Sequence, residues 1–329
     1  MTSLLIADMV QLQVVAIAAN VTKQVALYVA DTTNPQLVNF TYNANSNTDH
    51  FVLTFDETVD ASTLVFSKFV FHGSAAGGVA FRLTSGAVLT NDDTSVTVQL
   101  SNNDRNAIKL LTGVATSGAN TFLAMESGAI QDMALVSNGA DSNDIAVSQY
   151  TGDTTRPVLL RFAFSMNNGS FVLNFNEPVD AATMNATGLV LQSHRNEDVA
   201  STFRLSGGTT SSSNGLSVAV DMTIDDLNAL KEHEYLFVND SSSYLQVESS
   251  FIRDMKGNAI VDISNAAAQA VFLYIEDTTR PVVYWFDLDM TAETLTIKFS
   301  ETMDVTRYAT SSEIGRAHAE LQSPYELVC

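Results

Sequence analysis

The sequence predicts an all-β chain of tandem antiparallel sandwiches, with a short helical turn in each unit. Three observations carry this prediction. Ordered motifs recur at intervals near 122 residues, short runs alternate apolar with polar residues, and clusters of Gly, Asn, Ser and Thr separate those runs. At 329 residues the chain has room for two or three domains. Its 46% hydrophobic content supplies buried cores despite a formal charge of −21. Sixteen scattered Lys and Arg do not form the basic patch that nucleic acid requires. No apolar run approaches the length that spans a bilayer, so no membrane insertion is expected.

The repeats set the domain organisation. DTTNP at 31–35 returns as DTTRP at 153–157 and at 277–281. FDETVD at 55–60 returns as FNEPVD at 175–180 and FSETMD at 299–304. Phe81-Arg82-Leu83 returns as Phe203-Arg204-Leu205, and Asp104-x-Asn106-Ala107-Ile108-Lys109 as Asp226-x-Asn228-Ala229-Leu230-Lys231. Asp132-Met133 returns as Asp254-Met255 and is foreshadowed by Asp8-Met9. The chain therefore divides into the C-terminal part of a truncated repeat (1–30), two full repeats (31–152 and 153–276) and the N-terminal part of another (277–312). A period this long exceeds a solenoid coil and suits an independent domain.

Within the second full repeat, 171–175, 188–191 and 216–220 read as strands from their alternation. Residues 271–275 read as a more continuous buried run that closes the unit. Asp225 to Lys231 reads as a single helical turn at a corner, with an acidic start and Leu227 and Leu230 three apart. The proline after each DTT stiffens the entrance to a domain. Phe162, Phe164, Phe171 and Phe175 fall on alternating positions and are expected in the core, whereas Trp285 lies where an unfinished core leaves it exposed.

Residues 313–329 break from this pattern. They resemble the translation of a sequencing-library adaptor and are read as a non-native tail. The one cysteine, Cys329, lies there, so no disulfide or thiol chemistry is expected of the repeats. The first residues lack the basic region of a signal peptide, and the chain reads as a fragment of a longer array.

The motifs resemble the immunoglobulin-like repeats of bacterial surface proteins of the surface-layer type. Units of that family open with DTT-x-P, carry F-[ST]-E-x-[VM]-D and end near D-x-x-G-N. Asp254-Met255-Lys256-Gly257-Asn258 fits the last element, while the Asp132 and Asp8 loops keep only Asp-Met. The resemblance covers residues 1 to about 310. It implies tandem immunoglobulin-like antiparallel β-sandwich domains, with no catalysis and a role in surface arrays, stalks or adhesion, and hence an extracellular or cell-surface location.

In such a sandwich the strand after DTT-x-P leaves the domain entrance and the next strand returns to it, so their acidic motifs meet at one pole. Glu177, Asp180, Asp254 and Asp153 are expected together there, as are Glu57, Asp60, Asp132 and Asp31. Like charges this close repel, and Ca²⁺, a hard cation with oxygen ligands, would relieve them. These eight carboxylates are accordingly the candidate Ca²⁺ ligands of a stiffened joint. The plainer reading makes them solvated loop charges, with Asp31 or Asp153 serving a turn.

Other chemistry finds less support. The five histidines form no H-E-x-x-H, and Glu232-His233-Glu234, read on a strand edge, sends neighbours to opposite faces. G-x-S-x-G and P-loop motifs are absent, and a carboxylate pair repeated in every unit suits structure better than a glycosidase cleft. Asn20, Asn39, Asn168, Asn185 and Asn239 begin N-x-[ST] sequons, several expected by chance in so Asn- and Thr-rich a chain. The reading is a non-enzymatic spacer of a secreted or cell-surface protein, with neighbouring repeats as partners. The alternative is a module that binds surface glycan or protein through the loops at one pole of each sandwich, where Phe251 is the main aromatic.

Overall fold

The structure is a computed structural model that describes residues 6–45, 50–75, 77–139, 144–196, 202–304, 320–322 and 326–328. It is all-β, with two short α-helices among the described residues. The first full repeat runs β1 (Leu37–Asn43), β2 (His50–Asp60), β3 (Phe69–Ser74), β4 (Gly77–Arg82), β5 (Gly86–Val88), β6 (Asp93–Leu100), α1 (Asn102–Leu110), β7 (Phe122–Met125), β8 (Gln131–Asp132), β9 (Ile145–Ala146) and β10 (Gln149–Thr151). One sheet has the order β10-β1-β2-β6-β5 and the other β4-β3-β7-β9.

The second repeat follows the same plan with β11 (Leu159–Ser165), β12 (Ser170–Asp180), β13 (Leu189–Gln192), β14 (Phe203–Arg204), β15 (Gly208–Thr209), β16 (Gly215–Met222), α2 (Ile224–Lys231), β17 (Tyr244–Val247), β18 (Arg253–Asp254), β19 (Gln269–Ala270) and β20 (Leu273–Ile275). Its sheets are ordered β15-β16-β12-β11-β20 and β14-β13-β17-β19. In both repeats the last strand pairs in parallel with the first, Thr41 opposite Gln149 and Ala163 opposite Leu273. A fifth sheet begins with β21 (Val283–Asp289) and β22 (Thr294–Phe299) and is extended by Glu326–Val328 and Glu320–Gln322.

Each full repeat encloses its own core between its two sheets. Phe51 of one sheet meets Phe71 of the other with ring centroids 5.9 Å apart, and Phe164 meets Phe237 at 5.0 Å. Phe162, Phe164, Phe171 and Phe175 are all buried, as their alternation requires. Trp285 stands 40% exposed on the fifth sheet. Among the described residues no helix is long and apolar enough to cross a membrane.

Several local expectations need correction. The helical element is more than one turn: α2 has eight residues and α1 nine. Thr223 and Ser101 cap them by accepting from the N–H groups of Asp226 and Asp104, so each helix starts before its first acidic residue. Glu232 is the C-cap of α2, with His233 just beyond, so the Glu-His-Glu run lies on no strand edge. The closing run is not continuously buried either. Phe272 is 66% exposed and Leu273 52%, because an edge strand buries only one face, and Tyr274 takes the inner side. Phe251, expected in a display loop, is wholly buried.

Candidate functional site

Strand alternation creates the site. In β12, Phe171, Leu173 and Phe175 point into the core, and Glu177 follows them in parity. The strand carries Glu177 through a register break: β12 pairs with β16 to Asn174 and again at Val179, opposite Gly215, while Val179 and Asp180 also pair with Asp254 and Arg253 of β18. The same break occurs in β2 between Thr54 and Val59, which passes to Asp132. A glutamate is thereby set at the end of the core, beside the Asp-Met loop and the incoming DTT segment.

The structure brings Asp153, Glu177 and Asp254 together, and likewise Asp31, Glu57 and Asp132, each set with carboxylate oxygens within 4.8 Å of one another. Asp60 and Asp180 stand apart from these sets. They lie on the opposite parity and cap 3-10 turns, accepting from Ser62 N at 3.0 Å and Ala182 N at 3.1 Å. The aspartate of each DTT closes a turn on its own chain. Thr33 N donates to Asp31 at 2.9 Å, Thr155 N to Asp153 at 3.0 Å and Thr279 N to Asp277 at 3.0 Å.

At the second pole, the preceding repeat supplies a cation. Lys109, in the last turn of α1, donates to Asp153 Oδ2 at 2.6 Å and Glu177 Oε2 at 2.5 Å. The lysine side chain is 10% exposed, Asp153 3% and Glu177 0%. The arrangement recurs one repeat on, where Lys231 at the end of α2 lies 2.7 Å from Asp277 Oδ2 and 2.6 Å from Glu301 Oε2. Burial opposes the charge on Lys231, yet the hydrogen bonds it donates to Asp277 and Glu301 raise its pKa above the usual lysine value.

Further contacts close the joints. Asn45, in the β1–β2 loop, accepts from Thr154 N and Thr154 Oγ1, both at 2.9 Å. Asn167 does the same for Thr278 N at 2.8 Å and Thr279 Oγ1 at 3.0 Å. Lys256 Nζ reaches back to Thr116 O at 2.8 Å, and burial lowers its pKa. Asp254 is held by the N–H groups of Lys256 and Asn258 and by Asn258 Nδ2, each at 2.8 Å. The cleft bounded by Tyr42, Ile108, Lys109, Asp153, Pro178 and Met255 holds about 20 Å³, room for a single water.

The first pole differs. Among the described residues no cation is paired with Asp31, Glu57 or Asp132. Asp132 Oδ1 accepts from Ala134 N and Val136 N at 2.8 Å, while Oδ2 is buried without a partner, as is Glu57 Oε1. Burial, then the charges of Asp132, Asp31 and Asp56, push the Glu57 pKa up.

The eight carboxylates came from sequence, but the lysines did not. Lys109 and Lys231 sat in a motif used only as a landmark, and their recurrence in a chain with few cations was the available signal. Asn45 and Asn167 carried the repeat spacing as well, without a motif around them to mark it.

No family model and no curated protein matches the chain. Solved structures similar to parts of it include the following three. A crystal structure of the S-layer protein rSbsC is 13% identical with a TM-score of 0.24, covering 53% of this chain and 22% of that one. The N-terminal part of the bacterial S-layer protein SbsC is 14% identical with a TM-score of 0.25, covering 52% and 37%. A marsupial T cell receptor is 10% identical with a TM-score of 0.18, covering 90% and 91%. The chain thus spans about a fifth to a third of the S-layer chains it matches. At these scores the likeness carries no argument about the joints.

Proposed function

We propose that this chain is a non-enzymatic spacer, a run of sandwich repeats whose joints are fixed by a lysine–carboxylate lock, in a secreted or cell-surface protein. The observation that supports it is the repetition of one contact: the last helical turn of a repeat sends a lysine onto the aspartate and glutamate of the next, at Lys109 and again at Lys231. A spacer transmits position, and a joint made of buried charge-assisted hydrogen bonds resists bending better than a flexible linker. The test is small-angle scattering of the full chain and of Lys109→Met. The expected result is a broader distribution of maximum dimensions in the variant; equal distributions would remove the lock from the reading.

Calcium at the same carboxylates is a second reading, supported by the convergence of Asp31, Glu57 and Asp132. It predicts a rise in melting temperature with millimolar Ca²⁺ that excess chelator reverses. At 100 times the dissociation constant the gain is about 2.7 kcal/mol per site. Recognition of glycan or protein by the polar loops has less to rest on, since Phe251 is core.

A further inference from the structure

We propose that the Asp31–Glu57–Asp132 pole is a receptor for a primary ammonium, presented by the last helical turn of another repeat of this kind. The proposal rests on the lock just described and extends it to the pole where no lysine is seated. Two observations carry it beyond the clustering of acids. Asp132 is 1% exposed and its Oδ2 has no hydrogen-bond partner. And the corresponding residues at the next two poles, Asp153 with Glu177 and Asp277 with Glu301, each hold a lysine Nζ at 2.5–2.7 Å.

The charge count favours one ammonium. Asp31 already receives the backbone N–H of Thr33, and Asp132 those of Ala134 and Val136. Glu57 is different: its Oε1 is buried without a hydrogen-bond partner. One carboxylate thus lacks a counter-charge, and one lysine supplies it. Asp31 and Glu57 occupy the positions in DTT and β2 that Asp153 and Glu177 occupy in the closed joint.

The test splices a second copy of residues 153–276 between Ala30 and Asp31 of the full chain, so that the copy's α2 lysine meets the first pole. Hydrogen exchange across 50–60 and 131–136 reports that pole. Protection is expected to exceed that of the unspliced chain. It should fall about tenfold when the copy's lysine becomes methionine or Glu57 becomes glutamine, and no further when both are changed. Unchanged protection in the methionine variant, with Lys109→Met in the same chain still loosening its own joint, would overturn the receptor and leave the lock standing. If Lys109→Met is silent too, both fall. A Glu57-dependent gain of protection in the unspliced chain on adding CaCl₂ alone would make this a divalent-metal site, and would also overturn the proposal.

Discussion

The two carboxylate poles have the same chain trace and opposite electrostatic states. At Asp153, Glu177 and Asp254 every acid is buried, and a lysine from the neighbouring repeat lies among them. At Asp31, Glu57 and Asp132 only the last is fully buried, and Glu57 is held by no cation. The difference shows what buries the acids. Strand parity and the register break deliver the glutamate to the pole in both repeats, but the neighbouring repeat with its ammonium covers only one of them. The first pole therefore serves as an internal control for the second.

Breaking the closed joint has the largest expected effect. Lys109→Met takes the ammonium from two buried carboxylates, and loss of one partner of a buried ion pair costs about 3–5 kcal/mol. Denaturant unfolding of the full chain should show a loss in that range, largely recovered in Lys109→Met with Glu177→Gln. A loss below about 1 kcal/mol would mean that the pair behaves as a solvated one. Asn45→Ala comes next. Its side-chain oxygen accepts from Thr154 and Thr155, and removing it should cost about 1–2 kcal/mol in the same assay, with Asn167→Ala as the parallel measurement.

A smaller effect sharpens the comparison within the Asp-Met loops. Gly257 adopts a φ of 86°, and Leu135, its counterpart, is forced to 65° with a side chain. Asn258 supplies the donor that Asp254 Oδ2 accepts, and Val136 stands in its place beside the orphaned Asp132 Oδ2. Leu135→Gly and Val136→Asn are each expected to stabilise the chain by about 0.5–1 kcal/mol in denaturant unfolding. Destabilisation by either would show that the two loops differ beyond these two residues.

The fold was legible because its signals are local and repeated. Alternation marked the strands, the motif order gave the repeats, and the acids could be placed at one pole from strand direction alone. The helix start was misjudged by one residue, since the caps Thr223 and Ser101 lie just ahead of the acidic residues that drew attention. Phe251 and the 271–275 run were misplaced because which face of an edge or loop segment turns inward depends on the opposing sheet. Lys109 escaped for a similar reason. It completes a site belonging to the next repeat, and within its own repeat it is one more lysine at a helix end.

The smallest effect is a difference of sign with pH. Glu57 has a raised pKa, from burial first and then from Asp132, Asp31 and Asp56. It contributes stability that is full below its unfolded value and lost as pH rises through the raised folded one. Asp277 runs the other way. Burial pushes it up, but Lys231 and the Thr279 N–H together hold it below the ordinary range. Its contribution is present above the unfolded value and lost as pH falls through the lowered folded one. In metal-free buffer Glu57→Gln is therefore expected to be more stable than the parent chain at neutral pH and Asp277→Asn less stable. Both differences should shrink as acid protonates the carboxylates. Unfolding curves from pH 7 to pH 3 check this. If the two variants depart from the parent in the same direction, the poles do not differ in the way their seated and missing lysines require.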